Sequence, residues 1–192
     1  MAMYVTGNLN LFDQDSAKEY GYGSVREYYE DFLEQWYTDV KSDEDHVYIL
    51  GNLSQYAPEA ALKLISSLPG TKHLVSGPRD QVSPDTKRGW ELASAYYDAF
   101  VYVNTAMRRR LHGHDAILSF YGPEADCWWA PRRADAYYIT AWQDVTEDSS
   151  GTPWVGPNEL SVSWATWSRL VPWEEVKEMT VGQYVAPRDI IN

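Results

Sequence analysis

Residues 45–84 read DHVYILGNLSQYAPEAALKLISSLPGTKHLVSGPRDQVSP, and the arrangement of the rest of the chain follows from them. They contain two short apolar runs, His46–Leu50 and His73–Ser76, and a glycine follows each run. The segment between them has the composition of a helix and about the length of one βαβ crossover. In such a unit the loops after the carboxyl ends of the strands form the binding site.

A third apolar run of the same kind, Met3–Thr6, is followed by the sequence Gly-Asn-Leu-Asn. A glycine-marked turn therefore follows every run, and each turn carries a polar residue: Asn8, Asn52 and, three residues after Gly77, Asp80. Parallel strands bring their carboxyl ends to one edge of a sheet, so these three residues are predicted to lie close together. Ordinary turn chemistry also explains asparagine and glycine after a strand.

The order of these segments resembles the calcineurin-like metallophosphoesterases, particularly their short phage-encoded branch. The resemblance is carried by YVTGNLNLFD, VYILGNLS, KHLVSGPRD, AILSFYGP, YYITAWQDV and the closing LSVSWATWSRLVPWEEV. It implies one domain over residues 1–192. The implied fold is α/β, or an α+β-like sandwich, with two central mixed β-sheets flanked by helices in four layers.

The same alignment implies that the metal ligands of that family are lost. In chain order the family carries Asp-x-His, Gly-Asp, Gly-Asn-His with Asp or Glu, a lone His, and Gly-His-x-His. Asn8 and Asn52 stand at two aspartates, and Asn10 and Phe120 at two histidines. The positions of this former site are Asn8, Asn10, Asn52, Pro78, Arg79, Asp80, Phe120, Trp142 and Asp144.

These replacements predict a site without metal, cofactor or catalysis. Two divalent ions about 3.5–4 Å apart need carboxylates to offset their repulsion, and an asparagine offers only a neutral carbonyl. Arg79 adds a permanent cation where a metal would lie, and few strong donors for Mn, Fe or Zn remain. Weak binding of Ca or Mg by the remaining oxygens is an alternative.

The charge and composition exclude several classes of function. The formal net charge is −12, and residues 1–60 hold 12 acidic and 3 basic side chains. Such a field disfavours nucleic acid and suits a partner with a basic face. No apolar run reaches the ~18 residues of a membrane span. The single cysteine, Cys127, and this composition predict a protein of the cytoplasm.

Hydrophobic periodicity and turn residues predict the remaining elements. Ser24 and Glu27 form a capping box that opens a helix ending near Val40, while residues 11–23 are predicted to be a polar connection. The other predicted helices are 58–68, 90–100 and 173–179, and one longer helix over 90–107 is the alternative to the second of them. The other predicted strands are 101–103, 116–120, 136–140 and 160–164, and the predicted loops are 123–135 and 144–159.

Three features have two interpretations each. Arg108–Arg110 is either a solvated hairpin edge or a patch for phosphate or an acidic partner. His112 and His114 could share a metal, but no set of cysteines or carboxylates surrounds them in sequence. Nine tryptophans and 15 tyrosines build either an aromatic core or a contact surface.

We therefore expect a catalytically inactive, phage-encoded protein that binds another protein, either in the host cytoplasm or as part of the virion. One alternative is a metal-free binder of a phosphorylated small ligand or nucleotide, which would use Arg79 and Trp142. A residual phosphoesterase is a further alternative, and it would need His46, His112, His114 or Asp144 to converge on a rebuilt site.

Overall fold

A computed structural model of the chain describes residues 1–84, 86, 91–123, 133, 135–142 and 153–186. The elements are β1 (Met3–Gly7), α1 (Gln14–Glu19), α2 (Val25–Asp39), β2 (His46–Leu50), α3 (Pro58–Ser67), β3 (Thr71–Val75), α4 (Ala93–Ala99), β4 (Tyr102–Asn104), β5 (Ala106–Leu111), β6 (His114–Ser119), β7 (Ala136–Thr140), β8 (Trp154–Gly156), β9 (Glu159–Ser161), α5 (Trp164–Trp167), β10 (Val171–Pro172) and α6 (Trp173–Thr180).

The first sheet, sheet A, has the strand order β10-β1-β2-β3-β4. β1 to β4 are parallel, and β10 pairs antiparallel with β1. In register, Gly7 pairs with Leu50 and Leu50 pairs with Val75, so these three strands end level with one another. The predicted crossover from β2 through α3 to β3 is thereby confirmed, and the three polar turns come to one edge of sheet A.

The second sheet, sheet B, has the order β5-β6-β7-β9-β8. The two outer pairs are antiparallel, while β6, β7 and β9 run parallel. The predicted α/β fold with two mixed sheets is confirmed. The helices α1 to α4 share a core with sheet A, and α6 packs at the core between the sheets. The four-layer arrangement remains a prediction.

Two apolar clusters hold these layers together. The cluster between sheet A and its helices includes Val47, Ile49 and Leu74 from the strands and Phe32 and Trp36 from α2. The cluster between the sheets includes Val5, Leu50, Val75, Leu118, Ile139 and Leu160. All six tryptophans in the described residues lie in or against one of these clusters, which confirms the core interpretation for them: Trp36, Trp142, Trp154, Trp164, Trp167 and Trp173.

The beginning of α2 follows the predicted capping. The Ser24 hydroxyl accepts a hydrogen bond from the Glu27 N–H at 3.1 Å, which satisfies an orphan donor of the first turn. The Glu27 carboxylate instead accepts from the Gly23 N–H at 2.8 Å, one residue before the cap. The face of α2 that buries Tyr28, Phe32 and Trp36 has the predicted helical spacing.

Several predicted boundaries were wrong. The supposed polar connection 11–23 contains α1, whose first amides donate to the Asp13 carboxylate. β8 lies in a stretch predicted to be a loop. Trp164 begins α5 rather than ending a strand, because the Ser163 side chain caps that helix. Both missed regions are short, and a turn or two of helix or strand leaves little periodicity to detect.

The arginine run confirms the prediction of a hairpin edge. β5 is the terminal strand of sheet B and pairs antiparallel with β6. Arg108 and Arg110 are exposed and pair with Asp115 at 3.7 and 2.7 Å. Arg109 points the other way, and its guanidinium lies 4.6 Å from the centre of the Tyr48 ring.

Among the described residues, no helix is long and apolar enough to cross a membrane.

Candidate functional site

The candidate site begins with backbone in the left-handed region at the ends of β1 and β2. Asn8, Asn10 and Asn52 have φ values of 52°, 46° and 49°, a conformation that asparagine adopts more readily than most residues. The Asn8 N–H donates to Gly51 O at 3.0 Å, and the Asn10 N–H donates to Asn52 O at 2.7 Å. The first two turns are therefore hydrogen-bonded to each other through their backbones.

The side chains of the same asparagines form a second network. Asn8 Oδ1 accepts from Asn52 Nδ2 at 2.9 Å and from Asn10 Nδ2 at 3.1 Å. Asn10 Nδ2 also donates to the Tyr20 hydroxyl at 2.7 Å, and that hydroxyl donates to Asn8 O at 2.6 Å. Tyr20 was not among the predicted site residues, because it lies just after α1 in the stretch predicted to be a polar connection.

Arg79 completes this network from the turn after β3. Its N–H donates to Asn52 Oδ1 at 3.1 Å, and its Nη1 donates to Asn10 Oδ1 at 3.2 Å. Pro78, immediately before it, is half-buried, while Arg79 is exposed. No carboxylate among the described residues forms an ion pair with Arg79. The guanidinium is thus held in place by one amide and remains an accessible positive charge.

Asp80 lies beneath the network and is fully buried. Its carboxylate accepts from the N–H groups of Leu53 and Gly77 at 2.7 Å and of Asn52 at 2.9 Å. Burial raises the pKa of Asp80 to about 6, and the three backbone donors act in the opposite direction. The Asp80 carboxylate therefore joins the turn after β2 to the turn after β3, and its oxygens face backbone amides.

Phe120 closes the site from sheet B. It is 5% exposed, and its ring lies over two glycines. A Cβ built on Gly51 would be 2.6 Å from Phe120 Cδ2, and one on Gly77 would be 2.9 Å from the same atom. Gly51 also has a φ of +66°. Close packing therefore requires glycine at both positions, and backbone conformation requires it at Gly51 as well.

Two aromatic ring contacts connect Trp142 to Phe120. Phe120 and Tyr121 make an edge contact at 5.0 Å, and Tyr121 and Trp142 make another at 6.1 Å. Trp142 Nε1 donates to Glu159 Oε1 at 2.7 Å, and the Thr140 hydroxyl donates to the same oxygen at 3.0 Å. The ninth predicted site residue, Asp144, lies outside the described residues.

The residues assembled here do not fit a metal centre. The described part of the chain contains no group of three or more His, Cys, Asp or Glu side chains that could hold a metal ion. At the site itself the side chains are neutral amides, one cation, and a carboxylate that faces backbone N–H groups. Transition metals prefer imidazole and thiolate, and Mg or Ca needs several accessible oxygens of the carboxylate type.

The histidines lie in other environments. The His46 and His73 rings approach each other with Nδ1 and Nε2 2.8 Å apart. His112 Nε2 is 2.9 Å from Lys177 O, and the His114 ring stacks on Tyr184 with centroids 3.7 Å apart. His112 and His114 thus contact α6 and the segment after it, and the structure does not bring them together with Asn8, Asn52 or Arg79.

The chain is similar to phage proteins. It is 28% identical to the Gene 66 protein of Mycobacterium phage D29 over 160 residues, which is 77% of this chain and 80% of that protein. It is 33% identical to the Gene 66 protein of Mycobacterium phage L5 over 99 residues, 46% of this chain and 48% of that protein. These similarities support a phage-like protein. No model of a known protein family matches the chain.

The fold is shared with a solved structure of very different sequence. That structure is a protein of unknown function, AQ665, from Aquifex aeolicus, with a TM-score of 0.65 and 14% sequence identity. The match covers 93% of this chain and 98% of the Aquifex chain. At this identity the likeness shows the fold alone.

Proposed function

We propose that this phage-like protein is a non-catalytic relative of the metallophosphoesterases that acts by binding another protein, in the host cell or on the virion. The observation that carries the non-catalytic part is the amide network. Asn8, Asn10 and Asn52 hydrogen-bond to one another and to Arg79 at the positions where the resemblance places metal ligands. Their polar atoms are used to join the turns.

The charge at these positions supports the same proposal. Two divalent ions bring four positive charges, and the accessible side chains of the network supply no negative charge and one positive charge. Asp80 directly follows Arg79, and both its oxygens accept hydrogen bonds from backbone amides. Recruiting it to a metal would leave those amides unpaired, at a cost of about 1–3 kcal/mol for each.

The test combines metal content with hydrolysis on one preparation. Protein purified without chelator is examined by elemental analysis and then assayed with bis(p-nitrophenyl) phosphate and added Mn²⁺. We expect no stoichiometric metal and no turnover above that of the same assay without protein. One or two bound metals with turnover would refute the proposal and favour a rebuilt catalytic site.

A second candidate function is metal-free binding of a small ligand that carries a phosphate and a planar ring. It is favoured by two features, the accessible Arg79 guanidinium and the row of rings from Phe120 through Tyr121 to Trp142. Arginine pairs with phosphate through charge-assisted hydrogen bonds, and bases stack on aromatic rings at about 1–3 kcal/mol each.

Thermal shift with linear and cyclic nucleotides tests this candidate. Binding predicts a rise in Tm with millimolar nucleotide in the wild type and a much smaller rise in Arg79→Gln. Arg169→Gln is a matched control, because Arg169 is already paired with Glu175 at 2.7 Å on another part of the molecule. The absence of any shift with the whole series would exclude this candidate.

A further inference from the structure

Large apolar side chains reach solvent where α4 passes into β4. Tyr97 is 62% exposed, Val101 74% and Tyr102 49%. These three side chains and Asp98 between them are here named the α4–β4 surface. The other large apolar side chains that are exposed in the described residues are scattered: Met1, Tyr37, Tyr56 and Val181. A concentration of exposed aromatic and aliphatic groups in six residues is typical of a contact surface.

A cavity of about 300 Å³ adjoins this surface. Tyr97 and Val101 line it on one side, and the carboxyl-bearing residues Asp43 and Asp98 contribute to its wall. Lys72 also lines it, and its ammonium donates to the carbonyl of Leu68 at 2.6 Å. The lining therefore holds two exposed carboxylates against one ammonium that already has an acceptor.

The strand that adjoins this surface, β4, lies at the edge of sheet A. β4 ends the strand order of sheet A, and the described residues place no further strand on its outer side. On its inner side β4 pairs with β3, with His73 opposite Tyr102 and Val75 opposite Asn104. An open edge presents unpaired N–H and C=O groups, and extended peptides add to such edges as a further strand.

We infer that the α4–β4 surface binds an extended, basic segment of a protein partner, an inference that rests on the proposed binding function. The segment adds to the edge of β4, where its alternate side chains point to opposite faces. Its apolar side chains pack on Tyr97 and Val101, and a Lys or Arg enters the cavity beside Asp98. The net charge of −12 attracts basic partners at a distance.

The charges disfavour a second copy of this chain as the occupant. An isologous contact through this surface would bring the same patch of both copies together, including Asp98 of each. Like charges placed opposite each other in an interface cost free energy and suppress pairing. A basic segment from a different protein meets no such repulsion.

The experiment is an amide NMR titration of the full chain with the peptide acetyl-Lys-Val-Lys-Val-Lys-Val-amide. We expect shifts centred on residues 97–105 and none with the corresponding Glu-Val peptide. Asp98→Lys should weaken binding at least tenfold, whereas Glu34→Lys, with the same change in net charge on exposed α2, should change it less than twofold. Val101→Ser should also weaken it tenfold, and Tyr37→Ser should leave it unchanged.

Two results would overturn the inference. One is a set of shifts centred on α2, or equal effects of Asp98→Lys and Glu34→Lys, since both would mean attraction by net charge alone. The other is a dimer, detected by sedimentation, that Val101→Ser abolishes, since this would make a second copy the occupant. Neither result bears on metal content or turnover, so this inference and the non-catalytic proposal fail independently.

Discussion

Replacing Gly51 by alanine tests whether the site is held by close backbone packing. The φ of Gly51 is +66°, and a Cβ there would lie 2.6 Å from Gly77 Cα, Gly77 N and Phe120 Cδ2. Gly113 is a matched control, because its φ is +85° and nothing lies within 4 Å of its Cβ position. Both substitutions force alanine into the left-handed region, which costs about 1–2 kcal/mol.

The difference between the two variants measures the packing alone. For Gly51→Ala, three atoms must move from 2.6 Å to an ordinary contact distance of at least 3.4 Å. Two of them belong to the turn whose Gly77 N–H donates to Asp80 at 2.7 Å. Overpacking costs about 1–3 kcal/mol and loss of a buried hydrogen bond about 1 kcal/mol. We expect Gly51→Ala to lose about 3 kcal/mol more than Gly113→Ala.

Urea unfolding followed by tryptophan fluorescence provides the measurement, with the free energy of unfolding extrapolated to water. Equal losses for the two variants, within about 0.5 kcal/mol, would refute the close packing of the turns. If Gly51→Ala does not fold, adding Phe120→Leu separates the contact with the Phe120 ring from the contacts with the Gly77 backbone. The double variant should still be unstable, because the two contacts with the Gly77 backbone remain.

Three further predictions concern polar groups. Burial, then His46 and Arg109, lowers the pKa of His73 to about 4, so this imidazole contributes stability above pH 6.5 that is lost as the pH falls towards 4. After allowance for partial exposure, the loss in the free energy of unfolding is about 2 kcal/mol. Urea midpoints measured over this pH range should show the loss in the wild type and not in His73→Gln. The raised pKa of Asp80 has the opposite effect, because between pH 6 and 4 the folded state binds a proton that the unfolded state does not. Asp80→Asn lacks this contribution, so its free energy of unfolding should fall more steeply with acid in the same titration. Tyr20→Phe removes two hydrogen bonds at the site and should cost about 1–2 kcal/mol by urea unfolding, against no change for exposed Tyr37→Phe.

The parts of the fold that the sequence predicted are those with strong local signals. β1, β2 and β3 are continuous apolar runs with a glycine after each, and α2 has both a cap and a regular apolar face. Convergence of Asn8, Asn52 and Asp80 followed from the parallel order alone. α1 and β8 escaped detection because six and three residues are too few to show a period.

The roles of the site residues needed three-dimensional information. The alignment made Asp80 a surviving member of a ligand set, while its oxygens bind three backbone amides. Tyr20 carries no motif, yet its hydroxyl contacts two of the asparagines. Likewise, the overall acidity was evident from the composition, but the grouping of Tyr97, Asp98 and Val101 around one cavity depends on how α4 meets β4.

The amide network also explains how the turns after β1, β2 and β3 are held together. In a two-metal site, ligands from several turns are held together by shared ions. Here Asn52 and Asn10 bond to Asn8, Arg79 bonds to both of them, and Asp80 clamps two turns from below. The three turns are therefore joined by neutral hydrogen bonds and one buried carboxylate. Such a network holds the carboxyl ends of β1, β2 and β3 together, and under the proposed function it gives binding surfaces elsewhere on the chain a rigid support.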